Sequence, residues 1–190
     1  MLHQLNRSSI GHLLASQTQF VNEHFAYADL TRPDRHALRD VLKTAFPIGG
    51  SSHALWSGFA DTTAFLRRAR GGSEAHDLPQ GVIGGAIVMG YPEEQYDYLA
   101  YIAIHPSYRY RRRLFARTEQ PHHGTELLHD IYEVMRSRVS PSRPQRYLMI
   151  EPAGNGPLRF YLRALPANQY PVRFYEPDRV LSVGYDGLAL

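Results

Sequence analysis

Three groups of residues in this chain have types and spacing suited to chemistry. Gly124-Thr125 opens a stretch in which Leu127, Leu128, Ile131, Val134 and Met135 recur at helical spacing. A helix start offers unpaired N–H groups and the positive end of a dipole, and glycine lets an anion come close to the backbone, so this point suits phosphate. Just before it lie Arg109, Arg111, Arg112, Arg113 and Arg117. Guanidinium groups make charge-assisted bonds to phosphate. The same arginines, with Tyr108 and Tyr110 beside them, also read as a strip that tracks a nucleic-acid backbone and stacks bases, or as a solvated basic loop. His122-His123 is the third group. Adjacent histidines in an extended segment point apart, and no third ligand stands at metal-site spacing, so no metal centre is expected.

Composition narrows the classes. The 190 residues are 43% hydrophobic and 21% charged, which suits one domain with one core over 1–190, with 1–24 as a weakly patterned N-terminal extension. Cysteine is absent, which excludes disulfides, thiolate nucleophiles and Cys-ligated zinc. The net charge is +3 and Lys43 is the only lysine, so the cationic character belongs to arginine and argues little for nucleic acid. The 13 tyrosines offer apolar rings with polar tips for a pocket or partner surface. No apolar run reaches the roughly 20 residues that span a bilayer, and the first residues lack a signal-peptide core. A cytoplasmic protein without membrane contact is the expectation.

Elements must position those groups. Ile10, Leu13, Leu14 and Phe20 fit one face of a short helix, and Phe25 to Leu30 alternates like a first strand. Thr31, Pro33 and Asp34 start a helix carrying Leu38, Val41, Leu42 and Ala45. Ser51-Ser52 starts a second, with a stripe of Leu55, Phe59, Thr62, Phe65 and Leu66, and Arg67, Arg68 and Arg70 suit its C-terminus. Val82 to Met89 and Tyr98 to Ile104 form a hairpin, the helix from Gly124 follows, and Tyr147 to Glu151 is a strand. A helix from Gly156 to Leu165 and strands at Val172 to Tyr175 and Val180 to Tyr185 close the chain. The order β-α-α-β-β-α-β-α-β-β fits a mixed α/β (α+β) sheet flanked by helices.

That order, with particular residues in it, resembles the GNAT acyltransferase family. Ile102-Ala103-Ile104-His105-Pro106-Ser107-Tyr108-Arg109 is similar to the V-x-V-H-P-x-Y-R run ending that family's fourth strand, Gly124-Thr125-Glu126-Leu127-Leu128 to its G-T-x-L-L helix start, and Phe160-Tyr161-Leu162-Arg163 to its L-Y-E-K helix. By the family's count Tyr98 to Ile104 is the fourth strand and Tyr147 to Glu151 the fifth; one further strand before the hairpin has no visible counterpart. The resemblance runs from about Phe25 to the C-terminus. It implies a mostly antiparallel sheet and direct acyl transfer from acetyl-CoA, or another acyl-CoA, to an amine, with no covalent enzyme intermediate and no metal.

The resemblance also assigns residues. Ile102, Ala103 and Ile104 would bind the pantetheine arm through their backbone and supply an oxyanion donor. Arg109, Arg111, Arg112, His123, Gly124, Thr125 and Asn155 would complete the cofactor site. Tyr161 would be the general acid, and Glu151 or Asp97 the base, with His105 less suited. Trp56, Phe59 and the turn from Tyr91 to Tyr98 would border the acceptor; Glu93, Glu94 and Asp97 there would attract a cationic amine or simply be solvated. The family pattern R/Q-x-x-G-x-G/A is not intact here. Pro106 to Gly124 is about ten residues too long for it. Anchored on the proline, Arg109 fills the basic position; anchored on the helix, Glu119 does, with His122 in place of a glycine. Asn155 stands six residues before Tyr161, where the family places Asn seven before. The amine acceptor, an acyl carrier protein in place of CoA, a homodimer, and a GNAT-like protein that binds acyl-CoA or a partner without turnover all stay open.

Overall fold

A computed structural model describes residues 18–48, 56, 61–71, 78–109, 122–175 and 179–185. Its strands are β1 (Gln19–Ala26), β2 (Thr62–Arg70), β3 (Val82–Tyr91), β4 (Tyr96–Ile104), β5 (Tyr147–Ile150), β6 (Val172–Tyr175) and β7 (Val180–Gly184). The helices are α1 (Arg32–Lys43), α2 (His123–Ser137) and α3 (Asn155–Ala164). One sheet runs in the order β1-β2-β3-β4-β5-β7-β6. Every neighbouring pair is antiparallel except β4 and β5. The expected mixed, mostly antiparallel sheet between helices is therefore present. Among the described residues no helix is long and apolar enough to cross a membrane.

Two elements differ from the sequence expectation. Thr62 to Arg70, placed on a second helix by its apolar stripe, is the strand β2, and Leu55 and Phe59 lie outside the described residues. The strand is central and covered on both faces, so it is buried almost throughout and shows no alternation, and over so short a run its pattern is compatible with either period. It supplies the strand missing before the hairpin. The first strand is Gln19–Ala26 rather than Phe25 to Leu30, and it takes in Phe20. An edge strand with one open side reads as polar. Tyr27 and Leu30, which looked like strand positions, are buried three residues apart around a single 3₁₀ turn.

Sheet and helices make two cores. Leu38, Val41 and Leu42 of α1 pack with Ala64, Leu66, Ile87 and Trp56 on one face. Leu127, Leu128, Ile131 and Met135 of α2, with Tyr161 and Ala164 of α3, pack on Phe65, Val88, Leu99, Leu148 and Ile150 on the other. The start of α1 is as expected: the Thr31 hydroxyl accepts from the Asp34 N–H at 3.3 Å, with Pro33 in the first turn.

Gly85 sets how closely α1 lies on β3. A Cβ there would run into the Leu38 side chain and stand 2.9 Å from the Phe65 carbonyl oxygen. Leucine can rotate away but a backbone carbonyl inside the sheet cannot. Gly85→Ala should therefore destabilise the protein by about 1–3 kcal/mol, outweighing the usual gain of roughly 0.5–1 kcal/mol from removing a strand glycine. Urea unfolding measures this, and an unchanged midpoint would contradict the close contact.

Candidate active site

The site is built where two parallel strands part. β4 and β5 pair from Tyr96 with Tyr147 to Leu99 with Ile150 and no further, although β4 continues to Ile104. Two local features end the pairing. Pro152 follows β5 closely and has no N–H for a ladder. Ala100 is a bulge in β4: Leu99 pairs with Val88 and Tyr101 with Ile87, which leaves Ala100 without a partner on β3. A bulge bends and twists its strand, and this one lies one residue past the last contact with β5.

Register identifies the open backbone groups. The His105 N–H donates to the Ile83 carbonyl at 2.7 Å, so that pair is hydrogen-bonded, and Gly84 with Ile104 is the alternate, unbonded kind. Ile102 and Ile104 therefore turn their N–H and C=O groups away from β3, toward the gap, while Ala103 spends its groups on Gly85 in the ladder. Of the three residues expected to offer backbone contacts, two face the gap and Ala103 does not. The Ile104 carbonyl already accepts from Arg109 Nε at 2.7 Å. Arg109 also reaches the Thr44 hydroxyl, 3.2 Å away at the C-terminal end of α1, where its charge suits the helix dipole. It thus ties the end of β4 to α1.

The start of α2 adjoins this edge. The helix begins at His123, one residue before Gly124, and its N-cap residue His122 makes no side-chain cap. The Glu126 N–H closes the first turn onto the His122 carbonyl at 3.0 Å, which leaves the N–H groups before it without an intrahelical partner. A Cβ on Gly124 would stand 3.3 Å from the Phe160 ring and 3.7 Å from Ile104 Cγ1, so the helix start, the end of β4 and α3 converge on one point. Thr125 follows, half-buried. Asn155, the exposed first residue of α3, accepts through its amide oxygen from Arg179. Arg111, Arg112, Arg113, Arg117, Tyr110 and Glu119 lie outside the described residues.

Beneath the α2 start is a buried arginine that the sequence placed at a helix end. Arg67 of β2 is 2% exposed; its Nε donates to His123 Nδ1 at 3.0 Å, and its other nitrogens reach Asn22 at 2.8 Å and Glu126. Burial, with the Arg67 charge beside it, pushes the His123 imidazole down to about 4. The ring is accordingly neutral at pH 7 with its proton on Nε2, and Phe20 packs edge-on at 4.3 Å. The available signal was an arginine directly following the apolar Ala64-Phe65-Leu66.

Two candidate groups lie near each other at the gap, on opposite faces of the sheet. Tyr161 of α3 is 8% exposed; burial raises its phenol well above the ordinary value, and Tyr98 raises it further. Tyr98 of β4 donates to Glu151 Oε2 at 3.1 Å, just past the end of β5, and burial plus that carboxylate push its phenol up to about 12. The sequence singled out Tyr98 only as the end of the turn expected to border the acceptor. Asp97 does not join them. It is fully buried and receives Tyr185 Oη at 2.7 Å and the Arg143 guanidinium, which also holds Asp61 at 3.0 Å. Burial raises the Asp97 carboxyl, and these two donors offset part of the shift. It belongs to an interior ion pair at the start of β4. Trp56 is likewise interior, edge-on to Tyr101 at 5.4 Å. His105 caps the turn after β4, its Nδ1 accepting from the Ser107 N–H at 3.4 Å.

No protein-family model matches the sequence, and no curated protein does. Solved structures share the arrangement. Tetrahymena GCN5 superposes with TM-score 0.53 at 12% identity, covering 90% of this chain and 98% of its own. Escherichia coli ElaA gives 0.54 at 12%, covering 87% and 97%. An acyl-CoA N-acyltransferase from Pseudomonas aeruginosa gives 0.54 at 12%, covering 87% and 99%. The chain has the GNAT superfamily fold, and at this identity the likeness is one of fold.

The low pKa of His123 has a consequence for stability. Its folded pKa, about 4, is below the unfolded value of 6.5, so its contribution is complete above pH 6.5 and is lost as pH falls through 4. We expect wild type to lose up to about 3 kcal/mol over that window relative to His123→Gln, which has no titrating ring. Parallel pH–stability curves for the two would contradict a buried neutral imidazole.

Proposed function

We propose that this chain is an N-acyltransferase that moves an acetyl group, or a longer acyl group, from acyl-CoA to an amine in a ternary complex. The observation that carries the reading is the gap where β4 leaves β5: open backbone groups of Ile102 and Ile104 lie beside an uncapped helix start, with Tyr161 and the Tyr98–Glu151 pair at the opening. The Pseudomonas aeruginosa neighbour, an acyl-CoA N-acyltransferase by name, supports the same donor class.

In this reading the β4 edge holds the pantetheine arm as it would hold an added strand. The N–H groups opening α2 receive phosphate, with Gly124 and Thr125 in that first turn. A β4 N–H in the gap donates to the thioester oxygen as charge develops on it. The neutral amine attacks the carbonyl carbon; the N–C bond forms and the C–S bond breaks. The amine proton passes to Glu151, directly or through water, and the departing sulfur takes a proton from Tyr161. The raised Tyr161 phenol stays in its donating form. A thiolate developing in the same apolar recess is disfavoured by the same burial, which keeps the two basicities comparable. Glu151 is the base here because it lies exposed at the opening, where Asp97 is sealed in its ion pair.

Calorimetric titration with acetyl-CoA and thiol release with an amine panel test this. Tyr161→Phe should lower kcat by roughly 10²-fold or more at unchanged acetyl-CoA affinity. Glu151→Gln should lower kcat/KM and move the pH profile toward the acceptor's own ionisation. Lack of acetyl-CoA binding would sink the reading. Tight binding without transfer to any amine would leave an acyl-CoA-binding protein instead.

A further inference from the structure

The gap has a phenol on each side of the sheet. Leu99 and Ile150, the last pair joining β4 to β5, point into the same core as Tyr161. Side chains alternate along a strand, so Tyr98 and Glu151, each adjacent in sequence to one of that pair, turn to the α1 side. There the Tyr98 hydroxyl donates to Glu151 Oε2 at 3.1 Å. Beyond the effect of burial, Tyr98 raises the Tyr161 phenol, so the two phenols are electrostatic neighbours although they stand on opposite faces.

The Tyr98–Glu151 pair is ordered in depth. Tyr98 is half-buried and Glu151 is exposed. A phenol that donates its proton keeps lone pairs with which to accept a second hydrogen bond. Burial and the Glu151 carboxylate push the Tyr98 phenol up to about 12, so it keeps its proton at neutral pH. Such a group is no base by itself, and it takes a proton only by giving one away. A carboxylate carried into the recess would lose hydration at a cost, whereas a neutral phenol enters it with its charge-bearing partner left in water.

We infer that Tyr98 is a further catalytic residue of this site: its hydroxyl takes the proton of the attacking amine while passing its own to Glu151. This rests on the acyl transfer proposed above and specifies how the proton reaches Glu151. The amine arrives on the α1 side and meets the half-buried phenol before the exposed carboxylate, while Tyr161 meets the sulfur from the α3 side. As the nitrogen lone pair forms the N–C bond, an N–H proton moves to Tyr98 Oη and the Tyr98 proton moves to Glu151 Oε2. The C–S electron pair leaves with the sulfur, which takes the Tyr161 proton. Tyr98 ends the step neutral, as it began. Glu151 ends protonated and Tyr161 ionised, and exchange with water restores both.

Single-turnover rates with acetyl-CoA and an amine that wild type acylates test the relay. Tyr98→Phe and Glu151→Gln should each slow transfer roughly 10²-fold, with acetyl-CoA affinity as in wild type. Combining them should cost no more than the worse of the two, because both interrupt one proton path. A phenol that only held Glu151 in place would give that pattern too, and moving the carboxylate separates the cases. In the Glu151→Gln background, Tyr98→Glu puts the base where the amine arrives and should be roughly tenfold or more faster than Tyr98→Phe in the same background. Transfer by Tyr98→Phe near the wild-type rate overturns the inference and leaves Glu151 as the direct base. Losses that multiply in the combined variant overturn it as well, and so does a moved carboxylate that brings no gain. Wild type that fails to bind acetyl-CoA, or binds it and acylates no amine, is a different result, which removes the transfer itself.

Discussion

The parting of β4 from β5 is the constraint on which the site depends. A parallel pair inside an otherwise antiparallel sheet ends after four residue pairs, while one of its strands runs on to Ile104. Backbone polar groups inside a fold must be satisfied, so an open strand edge is a standing demand for a partner. Arg109 meets the demand at the Ile104 carbonyl. The other groups of Ile102 and Ile104 face the gap, and the N–H groups opening α2, which have no intrahelical partner, stand beside them. The bulge at Ala100 also decides side-chain direction. It turns Ala100 and Tyr101 toward the α1 side in succession, and Ile102 and Ile104 then face α2 and α3.

Two buried polar clusters hold the sheet ends that frame this gap. Arg67, His123, Glu126 and Asn22 join β1, β2 and the first turn of α2. Arg143, Asp97, Asp61, Tyr185 and Gln145 join the start of β4 to segments on either side. A buried charge is costly alone and tolerable when paired and hydrogen-bonded, so each cluster fixes relative placement more than it adds stability. The first sets the helix start against the strands. The second gives the Asp97 carboxylate interior partners in Arg143 and Tyr185.

Legibility in the sequence tracked the range of the interaction concerned. The helix opened by Gly124-Thr125, the cap at Thr31 and the hairpin of β3 and β4 rest on neighbours a few residues apart, and the structure has each of them within a residue or two. β2 was read as a helix because a strand covered on both faces loses the alternation that marks strands. Arg67 and Arg68 inside it looked like a helix C-terminus because their partners lie far away in sequence, at Glu126 and His123 for one and at Glu23 and Asp34 for the other.

By itself the sequence determined the types of chemistry within reach: no thiol, a helix start fit for an anion, a tyrosine and carboxylates near strand ends, and an order of elements resembling one acyltransferase family. The tertiary structure decided which residues meet. Register and the bulge selected Ile102 and Ile104 over Ala103, and burial separated Glu151 at the opening from Asp97 in the interior. Strand pairing also brought Tyr98 beside Glu151, far away in sequence. A period of two makes every such choice turn on a shift of one residue, and only pairing between strands distant in sequence fixes that shift.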